Sequence, residues 1–214
     1  MVNFAKILFI EKSFFSLKQN SFPYNRHIGK EEIHDLEPLK LTGKIRVIDS
    51  RAKIDKFRRL PSKGEIVGFD TETRPSFKKG IRHRCSLVQL AFEDEIVLFR
   101  LNKFPFPDIL ADILSNEESK VGIAIHDDIR QLKELRNFEE RAFHDLNTIA
   151  PEVGFESIGA RRLTALVLGK RLSKRQQLSN WEAADLSPAQ IEYAAADAWI
   201  CRKIYLEFRS KGLL

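Results

Sequence analysis

Glu65-Ile-Val-Gly-Phe-Asp70, continued by Thr71-Glu-Thr73, is a short apolar run that ends in two carboxylates. That profile belongs to a buried central strand. If the strand continues beyond Asp70, Asp70 and Glu72 leave the same face, because side chains alternate along a strand, and the two can share one ion. Taken alone, Asp-x-Glu beside turn-forming Thr and Pro75 is more simply a solvated strand end.

Downstream, Ser86-Leu-Val-Gln-Leu-Ala-Phe92 and Ile96-Val-Leu-Phe99 flank Glu93-Asp-Glu95, which predicts two antiparallel strands joined by a tight turn. The period then changes. Ile109, Leu110, Ile113 and Leu114 are spaced as a helix over Asp108 to Leu114, Val121 to Ile125 reads as another strand, and Asp128 begins a helix carrying Ile129, Leu132 and Leu135. The order is α/β with at least one parallel crossover. From Leu146 on the chain reads as wholly helical, with Gly169 as a C-terminal stop.

The 214 residues, 43% of them hydrophobic, suffice for one domain with a full core and leave no room for a second large one. Residues 1–45 are mixed in charge, lack a sustained period and contain Pro23, Gly29 and Pro38. They read as an N-terminal extension of uncertain order, with the folded domain over 46–214. The apolar patch Ile7-Leu-Phe-Ile10 is too short for a signal peptide core or a membrane span, and no later run is long enough for one. Cys85 and Cys201 are the only thiols, and neither sits in a Cys-x-x-Cys spacing. This argues against a disulfide framework or thiolate zinc site and suggests buried, reduced residues of a cytoplasmic protein. A net charge of +6 favours a polyanionic partner.

Two further clusters carry chemistry. Asp127 and Asp128 follow a strand and open a helix, the favoured place for an N-cap. Asp128 is preferred as a ligand because Ile129 and Leu132 orient its turn against the core, which leaves Asp127 as the cap, although the choice could shift by one residue. His126 beside them is better read as structural. Ser187-Pro-Ala-Gln190 has capping-box spacing with Pro at the first helical position, so a helix starts there. Ile191, Ala194, Ala198, Cys201, Tyr205 and Phe208 form its core stripe, and Tyr193 and Asp197, one turn apart, lie together off it. An Asp amid so much Ala, Trp and Ile is costly to bury unless paired or metal-bound.

Brought together, Asp70, Glu72, Asp128 and Asp197 would repel, since like charges ~4 Å apart cost several kcal/mol even at the effective dielectric of a protein surface. Oxygen-only donors suit hard dications such as Mg²⁺ or Mn²⁺. A pair of these ~3.5–4 Å apart can clamp the attacking and leaving oxygens of a phosphodiester.

These residues resemble the DEDD superfamily of 3′-to-5′ exonucleases, specifically its tyrosine branch, which holds ribonuclease D and the exonuclease domain of the Werner syndrome protein. The likeness runs from about Gly64 to the C-terminus. It rests above all on Leu178-Ser-Asn-Trp-Glu-Ala-Ala-Asp-Leu-Ser-Pro-Ala-Gln-Ile-Glu-Tyr-Ala-Ala-Ala-Asp-Ala198, with support from Ser86-Leu-Val-Gln-Leu90 and Asp145. The sister branch has His five residues before the last Asp; here that residue is Glu192. The resemblance implies a ribonuclease H-like mixed sheet flanked by helices, with a helical C-terminal third. It also implies two divalent cations, Mg²⁺ or Mn²⁺: Asp70, Glu72 and Asp197 holding the first, Asp70 bridging to the second, and Asp128 holding the second directly or through water. Tyr193 would position the nucleophile, and nucleoside 5′-monophosphates would leave one at a time from a nucleic acid with a free 3′ end.

The basic runs Lys78, Lys79, Arg82, His83, Arg84 and Lys170, Arg171, Lys174, Arg175 flank these motifs and are expected to grip phosphates. Phe77 and Trp181 could stack on bases, with packing the better reading of Trp181. Ser179-Asn-Trp181, and the lack of any accessory RNA-binding segment after Leu214, lean the expectation toward DNA over ribonuclease D-like RNA 3′-end processing. Two other classes stay open: a haloacid-dehalogenase-like phosphatase, whose Asp-x-Asp-x-Thr loop Phe69-Asp-Thr-Glu-Thr73 faintly resembles but Glu72 breaks, and a binding module with a degenerate acidic site.

Overall fold

A computed structural model describes residues 22–78 and 80–214. Six strands form one mixed sheet: β1 (Lys44–Ile48), β2 (Val67–Thr73), β3 (Cys85–Ala91), β4 (Glu95–Phe99), β5 (Lys120–Gly122) and β6 (Phe143–Asp145), in spatial order β1-β4-β3-β2-β5-β6. The expected hairpin is β3 antiparallel to β4, while β2 pairs antiparallel with β3 and parallel with β5. The strand that opened the reading is thus central, and it runs on through Thr73 so that Asp70 and Glu72 share a face.

Seven helices accompany the sheet among the described residues: α1 (Lys30–Asp35), α2 (Arg51–Lys56), α3 (Asp108–Ser115), α4 (His126–Leu135), α5 (Leu146–Val153), α6 (Ala160–Leu168) and α7 (Pro188–Ser210). One apolar core joins Phe69 and Phe99 of the sheet to Phe57, Leu110 and Leu132 beside α2, α3 and α4. On the other face Leu87, Leu98 and fully buried Trp181 pack against Ala194, Ala195 and Ala198 of α7. No helix among the described residues is long and apolar enough to cross a membrane.

Helix α7 starts as its sequence demands, with the Ser187 side chain accepting from the Gln190 backbone N–H, the Gln190 side chain returning the bond, and Pro188 in the first turn. Its surroundings differ from the one-stripe expectation. Residues 194–198 are all buried, as are Ile200, Cys201, Arg202 and Ile204, because α7 lies between the sheet and the helices of the C-terminal third. Small side chains permit this. A Cβ on Gly68 would stand 1.9 Å from the Ala198 carbonyl oxygen, so β2 and α7 meet backbone to backbone. Close by, the Arg202 Nε donates to the Ile66 carbonyl at 2.8 Å.

Other departures from the sequence reading are local. Strands β1 and β6 were not expected; β6 is only three residues long, and β1 alternates weakly between half-buried positions. Strand β5 stops at Gly122 rather than Ile125, because Ala124 takes a left-handed φ of 60° and the Asp145 carboxylate accepts from the backbone N–H groups of Ala124 and Ile125. Between Gly169, which does cap α6 in a left-handed conformation, and Ser187 the chain is not helical. The patch at Ile7–Ile10 lies outside the described residues. From Phe22 on, the segment expected as an extension packs on the domain: the Phe22 ring meets Phe155 at 5.0 Å, the Tyr24 hydroxyl donates to Glu207, and Ile33 is buried.

Candidate active site

Contact between Gly68 and Ala198 sets Asp197, the residue before Ala198, against the carboxylate face of β2. Ligand oxygens of Asp70, Glu72 and Asp197 lie within 4.8 Å of one another. All three line a cavity of about 490 Å³ together with Tyr193 and Cys201. Two stretches far apart in sequence, β2 and α7, therefore converge near the end of one strand, the position where open α/β sheets present their sites.

Asp128 is placed differently. Its Oδ1 accepts a 2.5 Å hydrogen bond from the hydroxyl of Thr71, the residue between Asp70 and Glu72 in β2. It stands outside the group of three yet close enough to raise the pKa of both Asp70 and Glu72. Asp127 is exposed and pairs with Arg130 at 2.9 Å, so of the two neighbours only Asp128 faces the cluster. His126 is exposed. Asp145 caps α5 through the Asn147 N–H while holding the 124–125 turn, a purely structural use of its carboxylate.

The cluster resists ionisation. Burial, then the charges of Asp197, Glu72 and Asp128, push Asp70 well above the usual carboxylate range. Burial, then Asp197 and Asp128, raise Glu72 to about 9. Asp197 and Asp128 also rise through burial, partly offset by hydrogen bonding to Tyr193 and Thr71 respectively. Burial and the neighbouring carboxylates move the Tyr193 phenol up, further from ionisation than a free tyrosine. Packed carboxyl groups of this kind call for a cation between them, and an oxygen-only donor set fits a hard dication.

Surrounding residues divide into those that reach the cavity and those that do not. Trp181 is fully buried with its ring 6.0 Å from that of Tyr193, so it backs the tyrosine. Arg100 fixes the loop after Trp181, donating to the carbonyls of Ala183 and Ala184. Phe77 is 83% exposed. Of the nine residues of the two basic runs singled out in the sequence, Lys174 alone among those described lines the cavity. Arg82, His83 and Arg84 line a separate cleft with Glu182, Arg175 lines a smaller pocket that shares Leu172, Ser173 and Tyr193 with this one, Lys78 and Lys170 are exposed without lining it, and Lys79 lies outside the described residues. The backbone of Arg171 is bound to Glu37 and Leu39. In their place the cavity gathers Lys30, Arg161 and Arg162, which the sequence reading passed over. Arg161-Arg162, two residues on from Gly159, was a visible signal; Lys30 lay in the segment read as an extension.

A sequence profile described as 3′-5′ exonuclease matches residues 45–212. The chain belongs to the 3′-5′ exonuclease family. It is 35% identical over 71% of its length to the bifunctional 3′-5′ exonuclease/ATP-dependent helicase WRN of Mus musculus. It is also 31% identical over 73% of its length to ribonuclease D of Gluconacetobacter diazotrophicus. It spans 11% and 39% of those two proteins. Among solved structures, the Aedes aegypti Nibbler EXO domain superposes with a TM-score of 0.67 at 24% identity, covering 82% of this chain and 92% of that one. Escherichia coli RNase D gives 0.65 at 22% identity, covering 80% of this chain and 47% of that one. These likenesses give the sheet its ribonuclease H-like class. Members of this exonuclease family use divalent metal ions, in keeping with the acidic cluster here. The haloacid-dehalogenase reading falls with the family assignment, and Glu72, which broke that pattern, takes its place beside Asp197.

Proposed function

We propose that this chain removes nucleoside 5′-monophosphates one at a time from the 3′ end of a nucleic acid strand by metal-dependent phosphodiester hydrolysis. The observation that carries the reading is the trio Asp70, Glu72 and Asp197, oxygens within 4.8 Å, opening beside Tyr193 into a nucleotide-sized cavity. Asp70, Glu72 and Asp197 would hold one divalent cation, Mg²⁺ or Mn²⁺, and Asp70 with Asp128 a second. Bound there, the ions supply Lewis acidity and screen the charge that builds on the phosphate.

The chain's own groups do the rest. Water adds across the P–O3′ bond, its hydroxyl going to phosphorus and its proton ending on the 3′ oxygen of the shortened strand. Tyr193, held protonated by burial and its acidic neighbours, orients that water by hydrogen bonding and is unsuited to removing its proton. Trp181 and the buried stretch 194–198 that follows Tyr193 in α7 keep the phenol in place.

The test uses matched 5′-labelled DNA and RNA strands, single and duplex, incubated with Mg²⁺, Mn²⁺ or EDTA. The expected result is a ladder that shortens from the 3′ end in metal, with 5′-monophosphates released, and intact strands in EDTA. Release of inorganic phosphate, or internal cuts, would overturn the proposal. Strand binding without cleavage in either metal would favour a binding module. The DNA and RNA lanes assign the sugar, a distinction that turns on contacts to the 2′-hydroxyl.

A further inference from the structure

The family match begins at residue 45, yet the wall of the cavity does not. Helix α1, from the preceding segment, contributes Lys30 and Ile33 to the same space as Asp70, Glu72 and Asp197. The segment is clamped on both sides of α1. Before it, Arg26 donates from Nη1 to the Gly154 carbonyl while its own carbonyl accepts from the N–H groups of Glu156 and Ser157, and His27 meets the Ser157 hydroxyl at 2.8 Å. After it, Arg171 and Leu39 exchange a backbone bond of 2.9 Å, as do Arg171 and Glu37. Helix α1 itself is closed by Glu32, whose carboxylate accepts from the Gly29 N–H, and pinned by Ile33, 3% exposed.

Four cations face this cavity: Lys30, Arg161, Arg162 and Lys174. Among the described residues none of them forms an ion pair, although Asp70, Glu72 and Asp197 line the same walls, and the Arg161 Nε is buried without a hydrogen-bond partner. Apolar Ile33, Ile123 and Leu172 share the lining. A space that combines a carboxylate pole, apolar walls and free cations offers a place for each part of a nucleotide: scissile phosphate at the ions, sugar and base on the apolar side chains, and a further backbone phosphate at the cations.

We propose that α1 completes the substrate cleft, with Lys30 beside Arg161 and Arg162 holding a backbone phosphate of the bound single strand. The inference rests on the exonuclease reading of the site and adds to it a binding residue from outside the matched family region. Each phosphate contact made by a cation releases bound counterions, so log K falls with log salt by about 0.7 per contact on a single strand.

The experiment is fluorescence anisotropy of a labelled single-stranded oligonucleotide with the full chain carrying Asp70→Asn, titrated across a salt series. Adding Lys30→Ala should weaken binding about fivefold and flatten the salt slope by about 0.7. Lys30→Arg should restore both, and Lys56→Ala, on exposed α2, should change neither. In the chain with Asp70 intact the Lys30→Ala loss should fall on KM rather than kcat. An unchanged salt slope in Lys30→Ala, in a protein that does shorten strands from the 3′ end, overturns this proposal and leaves the exonuclease reading standing. A flattened slope in a protein that degrades nothing supports the phosphate contact and removes the catalytic reading.

Discussion

Asp197 stands one residue from the point where α7 touches β2, whereas Asp128 meets the same strand only through the Thr71 hydroxyl. Asp197 is fixed by a backbone contact so close that Gly68 cannot carry a Cβ, in a helix buried along this stretch. Asp128 sits in the first turn of a ten-residue helix, held by one side-chain hydrogen bond and just outside the group of three. The contrast suggests a division of labour. The Asp70, Glu72 and Asp197 geometry is set when the core packs, while Asp128 can adjust by a rotamer, as suits its proposed role of meeting a cation directly or through water.

Asp70 belongs to both halves of the contrast, so its loss has the largest effect. Asp70→Asn should cut strand shortening about a thousandfold or more, since several kcal/mol of charge stabilisation goes with the ions. In chelator the variant should melt at the same temperature as the parent or higher, because one member of a repelling cluster is gone. A large fall in melting temperature in EDTA would mean that Asp70 holds the fold together, contrary to the electrostatics above.

Tyr193→Phe comes next. Turnover should slow about tenfold to a hundredfold while calorimetric cation binding stays nearly intact, because in the proposed role the phenol orients water and holds no ion. Loss of cation binding would make the tyrosine structural.

Gly68→Ala attacks the backbone contact itself. The added Cβ would overlap the Ala198 carbonyl, backbone against backbone, with no flexible side chain to yield. Overpacking of this kind costs about 1–3 kcal/mol, and because the displaced residue adjoins Asp197, activity should fall along with stability. Unchanged thermal unfolding would show that α7 shifts freely along β2, and the proposed difference between the two aspartates would vanish.

Much of this was legible in the sequence, for reasons that separate local from tertiary causes. Asp70 and Glu72 share a face because a strand has period two, and the start of α7 follows from Ser187, Pro188 and Gln190, which act within one turn. The burial of α7 on nearly every side was not legible. A stripe of apolar positions reports one packing partner, and Ala is ambiguous between a surface and a close approach. Tying the cavity's cations to the site needed the fold as well: Lys78 and Arg82 neighbour the first motif along the chain, but Lys30 and the visible pair Arg161-Arg162 neighbour it only in space. Strand β6, three residues long, is too short for any period to show.

Thr71→Val tests the other half of the contrast at little cost to shape. Without the hydroxyl, Asp128 loses the hydrogen bond that draws its pKa down, and burial then holds its proton more firmly. Stability should change by no more than about 1 kcal/mol. The acid limb of the pH-activity profile should move to higher pH, and an unmoved limb would mean that Asp128 does not depend on Thr71.

The smallest effect is a shift in melting temperature with pH. Glu72 rises from 4.5 to about 9 on folding, so the folded chain binds this proton more tightly than the unfolded one. In chelator its contribution to stability is therefore full below about pH 4.5 and lost as pH climbs toward about 9. A divalent cation competes with the same protons and replaces the missing charge compensation, so its benefit grows as they leave. The rise in melting temperature on adding Mn²⁺ should accordingly be larger near pH 8.5 than near pH 6, and Asp70→Asn should shrink that difference. An increment independent of pH would mean that cations bind somewhere other than the carboxylates of β2 and α7.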